Sequence, residues 1–280
     1  MLRPLDGLLH GAHRTVHRGA GVDLAGMRPY LPGDDVRHID WNVTARLDEP
    51  YVRLFTEDRE LTGWLVLDRS PSMRFGAVGR GKDAIAGDLA VSLARLLGRT
   101  GNPVGALLYD GQTHQVIPPG RGRRQALRLA AALTTPARQD STGAPTDLAA
   151  MLALVASLAG RRGLVVVLSD FVGPPGWQRQ LTRLGRRHEV VAVQVIDPVE
   201  LALPRVGPVV VEDAETGEQL YLDASDPAFG DRLRLEVDAW QRAVDEAMRA
   251  ARVRYRRVST RDDLVAVLLA LVLDSARRRR

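Results

Sequence analysis

An alternation beginning after Glu60 limits this chain more than any other feature. Short β-branched runs, most of them apolar, recur at Leu65–Leu67, Val104–Tyr109, Leu164–Leu168, Glu189–Ile196 and Val253–Val258. Between and after them lie stretches with helical spacing: Asp83–Leu97, Gln125–Leu133, Leu148–Leu158, Trp177–Leu184, Asp231–Ala251 and Asp262–Leu273. Strands that are apolar on both sides belong in a sheet covered on both faces, and helices between them make that sheet parallel. Right-handed crossovers then give an α/β fold with a doubly wound, mostly parallel sheet. The pair Asp110-Gly111 signals a hairpin, making His114–Ile117 the antiparallel partner of Val104–Tyr109.

Length and composition set the remaining limits. A chain of 280 residues, 45% hydrophobic, can bury one large α/β core and carry an appendage. The longest strongly apolar run, Leu264–Leu273, is about half a membrane span and reads as a buried helix. The first residues lack the continuous apolar segment of a signal peptide, so a cytoplasmic protein is expected. The absence of cysteine excludes disulfides, thiol catalysis and Cys-ligated zinc. A formal charge of +5 invites nucleic acid, but 34 acids stand against 39 bases and Lys82 is the sole lysine. The dense basic runs are Arg121–Arg124, Arg254–Arg257 and Arg277–Arg280, and specific nucleic-acid binding is not expected.

Two segments fall outside the alternation. Residues 1–59 form an arm with a short helix after Pro32-Gly33-Asp34-Asp35 and a strand from Tyr51 to Phe55. Residues 60–275 form the main domain, with a β-hairpin insertion at about 206–224 (Val209–Val211 and Gln219–Leu222), and 276–280 are a basic tail.

Several motifs resemble sites and fail on context. Gly76 to Lys82 matches G-x-x-x-x-G-K, but the residue that would hold Mg²⁺ is Asp83, and the run lies well past the end of its strand. Gly79 to Ala84 resembles G-x-G-x-x-A and fails the same test. A phosphatase of the haloacid dehalogenase type needs an acid two residues after its strand-end aspartate. Here that residue is Ser70, whose hydroxyl cannot serve as a general acid near neutral pH. No G-x-S-x-G elbow is present. His10, His13 and His17 have helical spacing, which permits a transition-metal site but reads better as surface.

The combination that carries chemistry begins at Leu65-Val-Leu-Asp68-Arg-Ser70-Pro-Ser72. Ligands of doubly wound sheets bind outside the carboxyl ends of the strands, where Asp68, Asp170 and Asp197 fall. If the loop after Asp68 is extended, alternate positions point the same way, and Asp68, Ser70 and Ser72 converge. Thr146 opens a later helix, and Asp170 ends another strand. Three hydroxyls and two carboxylates are hard donors, suited to Mg²⁺ or Mn²⁺ rather than zinc. An ion ligated directly by hydroxyls is under-neutralised and attracts an outside carboxylate. The alternative is local: serine and threonine helix caps and a turn aspartate.

D-x-S-x-S after an apolar strand, a later Thr and an Asp ending a middle strand resemble the metal-ion-dependent adhesion site of von Willebrand factor A domains. The resemblance implies Ser70, Ser72 and Thr146 as direct ligands, Asp68 and Asp170 acting mostly through water, and a partner's Asp or Glu in the sixth position. The arm extends the likeness. Arg28 to Arg46 (RPYLPGDDVRHIDWNVTAR), followed by VRLFTE at 52–57, resembles the signature of the bacterial domain of unknown function 58 family. Its members join this segment to a von Willebrand A-like domain and are typically encoded beside MoxR-type AAA+ ATPases.

The expectation is a non-enzymatic adaptor working with such an ATPase on client proteins. The alternative is a metal-dependent hydrolase using Asp68 or Asp170. Asp34, Asp35, Arg37 and Asp40 admit two readings: a turn with an N-cap at Asp35 and an Arg37–Asp40 pair, or a docking surface for the ATPase.

Overall fold

The computed structural model describes residues 22–57, 61–76, 80–111, 114–135, 145–204 and 206–277. His10, His13 and His17, and the end of the basic tail, lie outside them. The described residues 22–57 belong to one compact unit, and those from Leu61 onward belong to another.

In the smaller unit, β1 (Val22–Pro29) pairs antiparallel with β2 (Tyr51–Glu57), with an irregularity between Leu24 and Gly26. Sequence reading found only the second strand, because Gly26 and Pro29 break the alternation that marks a strand. Between the strands lie a 3₁₀ turn, Val36–His38, and α1 (Trp41–Leu47). Each signature acid acts locally. Asp34 takes the Arg28 guanidinium through both oxygens, each at 2.7 Å, and the Leu31 N–H at 2.9 Å. Asp35 caps the 3₁₀ turn and pairs with Arg37 at 2.7 Å, which holds its carboxyl down at about 2. Asp40 caps α1 through the Asn42 and Val43 N–H groups and receives Arg53 Nε at 2.9 Å. The expected Arg37–Asp40 pair does not form. No α-helix links the two residues, so Arg37 folds back on Asp35 and Asp40 reaches across to β2.

In the larger unit the elements follow the expected alternation. They are β3 (Gly63–Asp68), α2 (Lys82–Arg99), β4 (Val104–Tyr109), β5 (His114–Gly120), α3 (Gly122–Thr134), α4 (Leu148–Leu158), β6 (Leu164–Ser169), α5 (Trp177–Arg187), β7 (Glu189–Ile196), α6 (Pro198–Leu201), β8 (Pro208–Glu212), β9 (Gln219–Asp223), α7 (Pro227–Ala251), β10 (Arg254–Ser259) and α8 (Leu264–Arg277). The strand order is β10-β7-β6-β3-β4-β5, parallel except for the β4–β5 hairpin.

Alternate residues of β3 feed the two faces of the sheet. Leu65 and Leu67 pack with Ile85 and Leu89 of α2, Leu129 of α3 and Leu268 of α8. Trp64 and Val66 pack with Met151 and Val155 of α4, Leu181 of α5 and Met248 of α7. Each large side chain buried this way stabilises the fold by about 1.5–3 kcal/mol. From β3 the chain runs outward through β4 and β5, then returns to β6 on the other side of β3. That reversal is the switch point of the sheet, and in such sheets the ligand crevice lies outside the carboxyl ends of the flanking strands, here β3 and β6. No described helix is long and apolar enough to cross a membrane.

Candidate metal and carboxylate site at the strand rim

β3 ends at Asp68 and β6 at Ser169, so Asp68 and Asp170 stand side by side at the crevice, each about 1% exposed. Asp68 accepts the Ser70 N–H at 2.9 Å and the Ser169 hydroxyl at 2.6 Å. Both partners are neutral. Burial, and after it the charge of Asp170, pushes the Asp68 carboxyl up to about 7.

The loop after Asp68 is not extended. Pro71 takes helical angles (φ −54, ψ −40) and starts a 3₁₀ turn, Ser72–Arg74, with Met73 buried in the core beneath it. Ser70 and Ser72 nevertheless converge, their hydroxyls 3.0 Å apart, and neither caps that turn. Asp147, not Thr146, caps α4 by accepting the Ala150 N–H. The Thr146 hydroxyl is thereby left to bond outside the helix. Gly173, at φ +156, lies so close behind it that an added Cβ would sit 2.8 Å from the Thr146 carbonyl oxygen.

Sequence reading missed two side chains here. Lys82 is fully buried, with Nζ 2.8 Å from Asp170 Oδ2 and 2.6 Å from Glu200 Oε1. Burial alone would lower the ammonium pKa, but Asp170 and Glu200 more than offset it and the pKa rises. Burial in turn raises Glu200, with Lys82 opposing and Asp170 adding to the shift. The group is one ammonium held between two carboxylates by two short, direct contacts. The clue was available: the chain's single lysine opens a helix beside the rim. Lys82 is thus spent on carboxylates, which removes the phosphate-loop reading on structural grounds as well.

The second is Glu215, from the β8–β9 hairpin. Its Oε1 accepts the Ser72 N–H at 3.0 Å, and its Oε2 accepts the Thr146 N–H at 3.1 Å and the Thr146 hydroxyl at 2.7 Å. One carboxylate thereby joins the two loops that carry the predicted ligands.

The Ser70 and Ser72 hydroxyls thus meet beside the buried Asp68, and Glu215 ties the Thr146 hydroxyl to the Ser72 loop. No group of three or more His, Asp or Glu able to hold a metal occurs among the described residues, so a cation here depends on the hydroxyls. The donor chemistry fits a hard divalent ion: Asp68 is a buried carboxylate whose partners are neutral, and paired hydroxyls stand next to it. Elsewhere, Arg254 pairs with Glu189 and Arg257 with Asp245, so this basic run is at least partly neutralised within the fold.

Fold and rim together define a von Willebrand factor A-like α/β protein with an oxygen-rich site at its switch crevice. The profile described as "Protein of unknown function DUF58" matches residues 26–244, and the chain belongs to that family. It is 38% identical over 276 residues to the uncharacterized protein Rv1480 of Mycobacterium tuberculosis (strain ATCC 25618 / H37Rv), covering 98% of this chain and 86% of that protein. An aerotolerance-related membrane protein from Bacteroides fragilis NCTC 9343, carrying multiple mutations to serines, shares the fold: TM-score 0.51, 16% identity, 78% of this chain and 99% of that one. The SpRpn10 VWA domain aligns at TM-score 0.44 and 13% identity over 75% of this chain and 94% of that one.

Proposed function

We propose that this chain is a non-enzymatic protein-interaction adaptor. It binds Mg²⁺ or Mn²⁺ at Ser70, Ser72 and Thr146, with Asp68 and Asp170 behind them, and engages an Asp or Glu of a partner. The partner is a MoxR-type AAA+ ATPase or its client, in the cytoplasm, and the outcome is maturation or remodelling of the client. The observation carrying this reading is that a carboxylate, that of Glu215, already sits between the Ser72 and Thr146 loops. The rim therefore has the shape and donors to receive one. A bound cation would neutralise the buried Asp68, Asp170 being already paired with Lys82, and would supply a ligand position for the incoming carboxylate.

The hydrolase reading needs Asp68 or Asp170 free to activate water. Asp68 is held by Ser70 and Ser169, and Asp170 by Lys82 and the Val172 N–H. The test is affinity for a MoxR-type ATPase from the same genome, with Mg²⁺ or with chelator, for the wild type and Asp68→Ala. Binding should require the ion and weaken at least tenfold in the variant. Binding indifferent to both changes, or phosphoester turnover lost in Asp68→Ala, would overturn the adaptor reading.

A further inference from the structure

Glu215 is the single buried residue of the segment 208–223. The rest of the hairpin is weakly anchored. Among the described residues β8 and β9 pair only with each other, and Val210, Leu220 and Tyr221 are 52%, 59% and 78% exposed. A two-stranded hairpin is marginal in water without further packing. Its tip, by contrast, is well organised. The Asp213 carboxylate accepts the Glu215 N–H at 2.9 Å and the Thr216 N–H at 2.8 Å, and Gly217 closes the turn at φ +72 with its N–H on the Asp213 carbonyl. At the base, the Ala224 N–H bonds the Gly207 carbonyl at 2.9 Å. The whole is a preformed arm that carries one carboxylate to one seat.

That seat is built from the Ser72 N–H and the Thr146 N–H and hydroxyl, donors whose chemistry selects a carboxylate. We propose that the seat is a carboxylate-binding site closed by the chain's own Glu215, and that the hairpin is a latch. A partner's Asp or Glu enters by exchange with Glu215, and the hairpin lifts as it does so. This rests on the adaptor reading for the identity of the entering group. The tethered carboxylate competes at the high effective concentration of an intramolecular ligand. A latch closed nine times in ten raises the apparent Kd of a competing carboxylate about tenfold.

The test uses the full chain, with acetate as the probe, at constant ionic strength, in chelator and again in Mg²⁺. Amide NMR signals of Ser72 and Thr146 should shift and saturate with acetate in Glu215→Ala at about one tenth of the concentration the wild type needs. In the wild type, acetate should raise hydrogen exchange of the 208–223 amides while β3 and β6 stay protected. Glu215→Gln, which keeps the shape and removes the charge, should also speed hairpin exchange, which guards against a misfolded alanine variant. Equal acetate response in wild type and variants, no response in any of them, or hairpin exchange indifferent to acetate would overturn the latch. Acetate exchange in chelator with no Mg²⁺ binding by calorimetry would retain the latch and remove the metal. Mg²⁺ binding with an inert hairpin would do the reverse.

Discussion

At the residue scale, much of the rim's energetics centres on Lys82. It is buried between Asp170 and Glu200, and removing it leaves both carboxylates without their cation. Breaking such a pair from one side costs about 3–5 kcal/mol. Lys82→Ala should lose stability of that order in urea denaturation at pH 7 in chelator, and added Mg²⁺ should restore part of it if the ion takes over the charge. His188 offers a pH test. It is 4% exposed, neither ring nitrogen has a hydrogen-bond partner among the described residues, and burial, then Arg187, lowers its pKa below 6.5. The unfolded chain therefore takes up the proton first. His188's contribution is complete above about pH 6.5 and falls as the medium is acidified, by at most about 1.4 kcal/mol per pH unit. Denaturation between pH 8 and pH 5.5 should show His188→Leu with a shallower acid slope than the wild type. An unchanged slope would place the titration elsewhere.

At the element scale, the short turn after β3 ties the site to the core. Met73 is fully buried against the α2 face of the sheet, and its backbone N–H bonds the Ser70 carbonyl at 3.1 Å. Packing beneath the turn thus holds Ser70 and Ser72 together above it. Met73→Ala removes that packing and should cost about 2–5 kcal/mol of stability. It should also weaken Mg²⁺ binding by calorimetry more than an equally destabilising core change far from the rim does. An equal effect from both changes would mean that the turn needs no support from below. The arm's elements follow a similar local logic: Asp34, Asp35 and Asp40 each complete a turn or cap, so their dense occurrence in the sequence has a structural explanation whatever else they do.

At the scale of the whole molecule, the sheet was legible because its strands are short, β-branched and apolar on both faces, and strands such as Val104–Tyr109 and Glu189–Ile196 have the bounds read from sequence. Asp68 and Asp170 were legible because strand ends are marked by the change from apolar to polar, whereas Ser70, Ser72 and Thr146 stood out by their hydroxyls and by the resemblance to the adhesion site. What escaped depended on contacts between distant parts of the chain. Glu215 lies 143 residues from Ser72 and 69 from Thr146, in a polar tip whose local pattern spells only a turn. Lys82 lies 88 residues from Asp170, and a lone lysine at a helix start ordinarily faces water. The turn at Pro71 was misread as extended because a proline is compatible with either backbone, and packing of Met73 decides it. The most direct measurement is calorimetric titration of Mg²⁺ into the full chain, alongside the Ser70→Ala/Ser72→Ala double variant. The account predicts one site in the wild type, and a folded variant that has lost it. No binding in the wild type, or equal binding in both, would contradict a metal site at this rim.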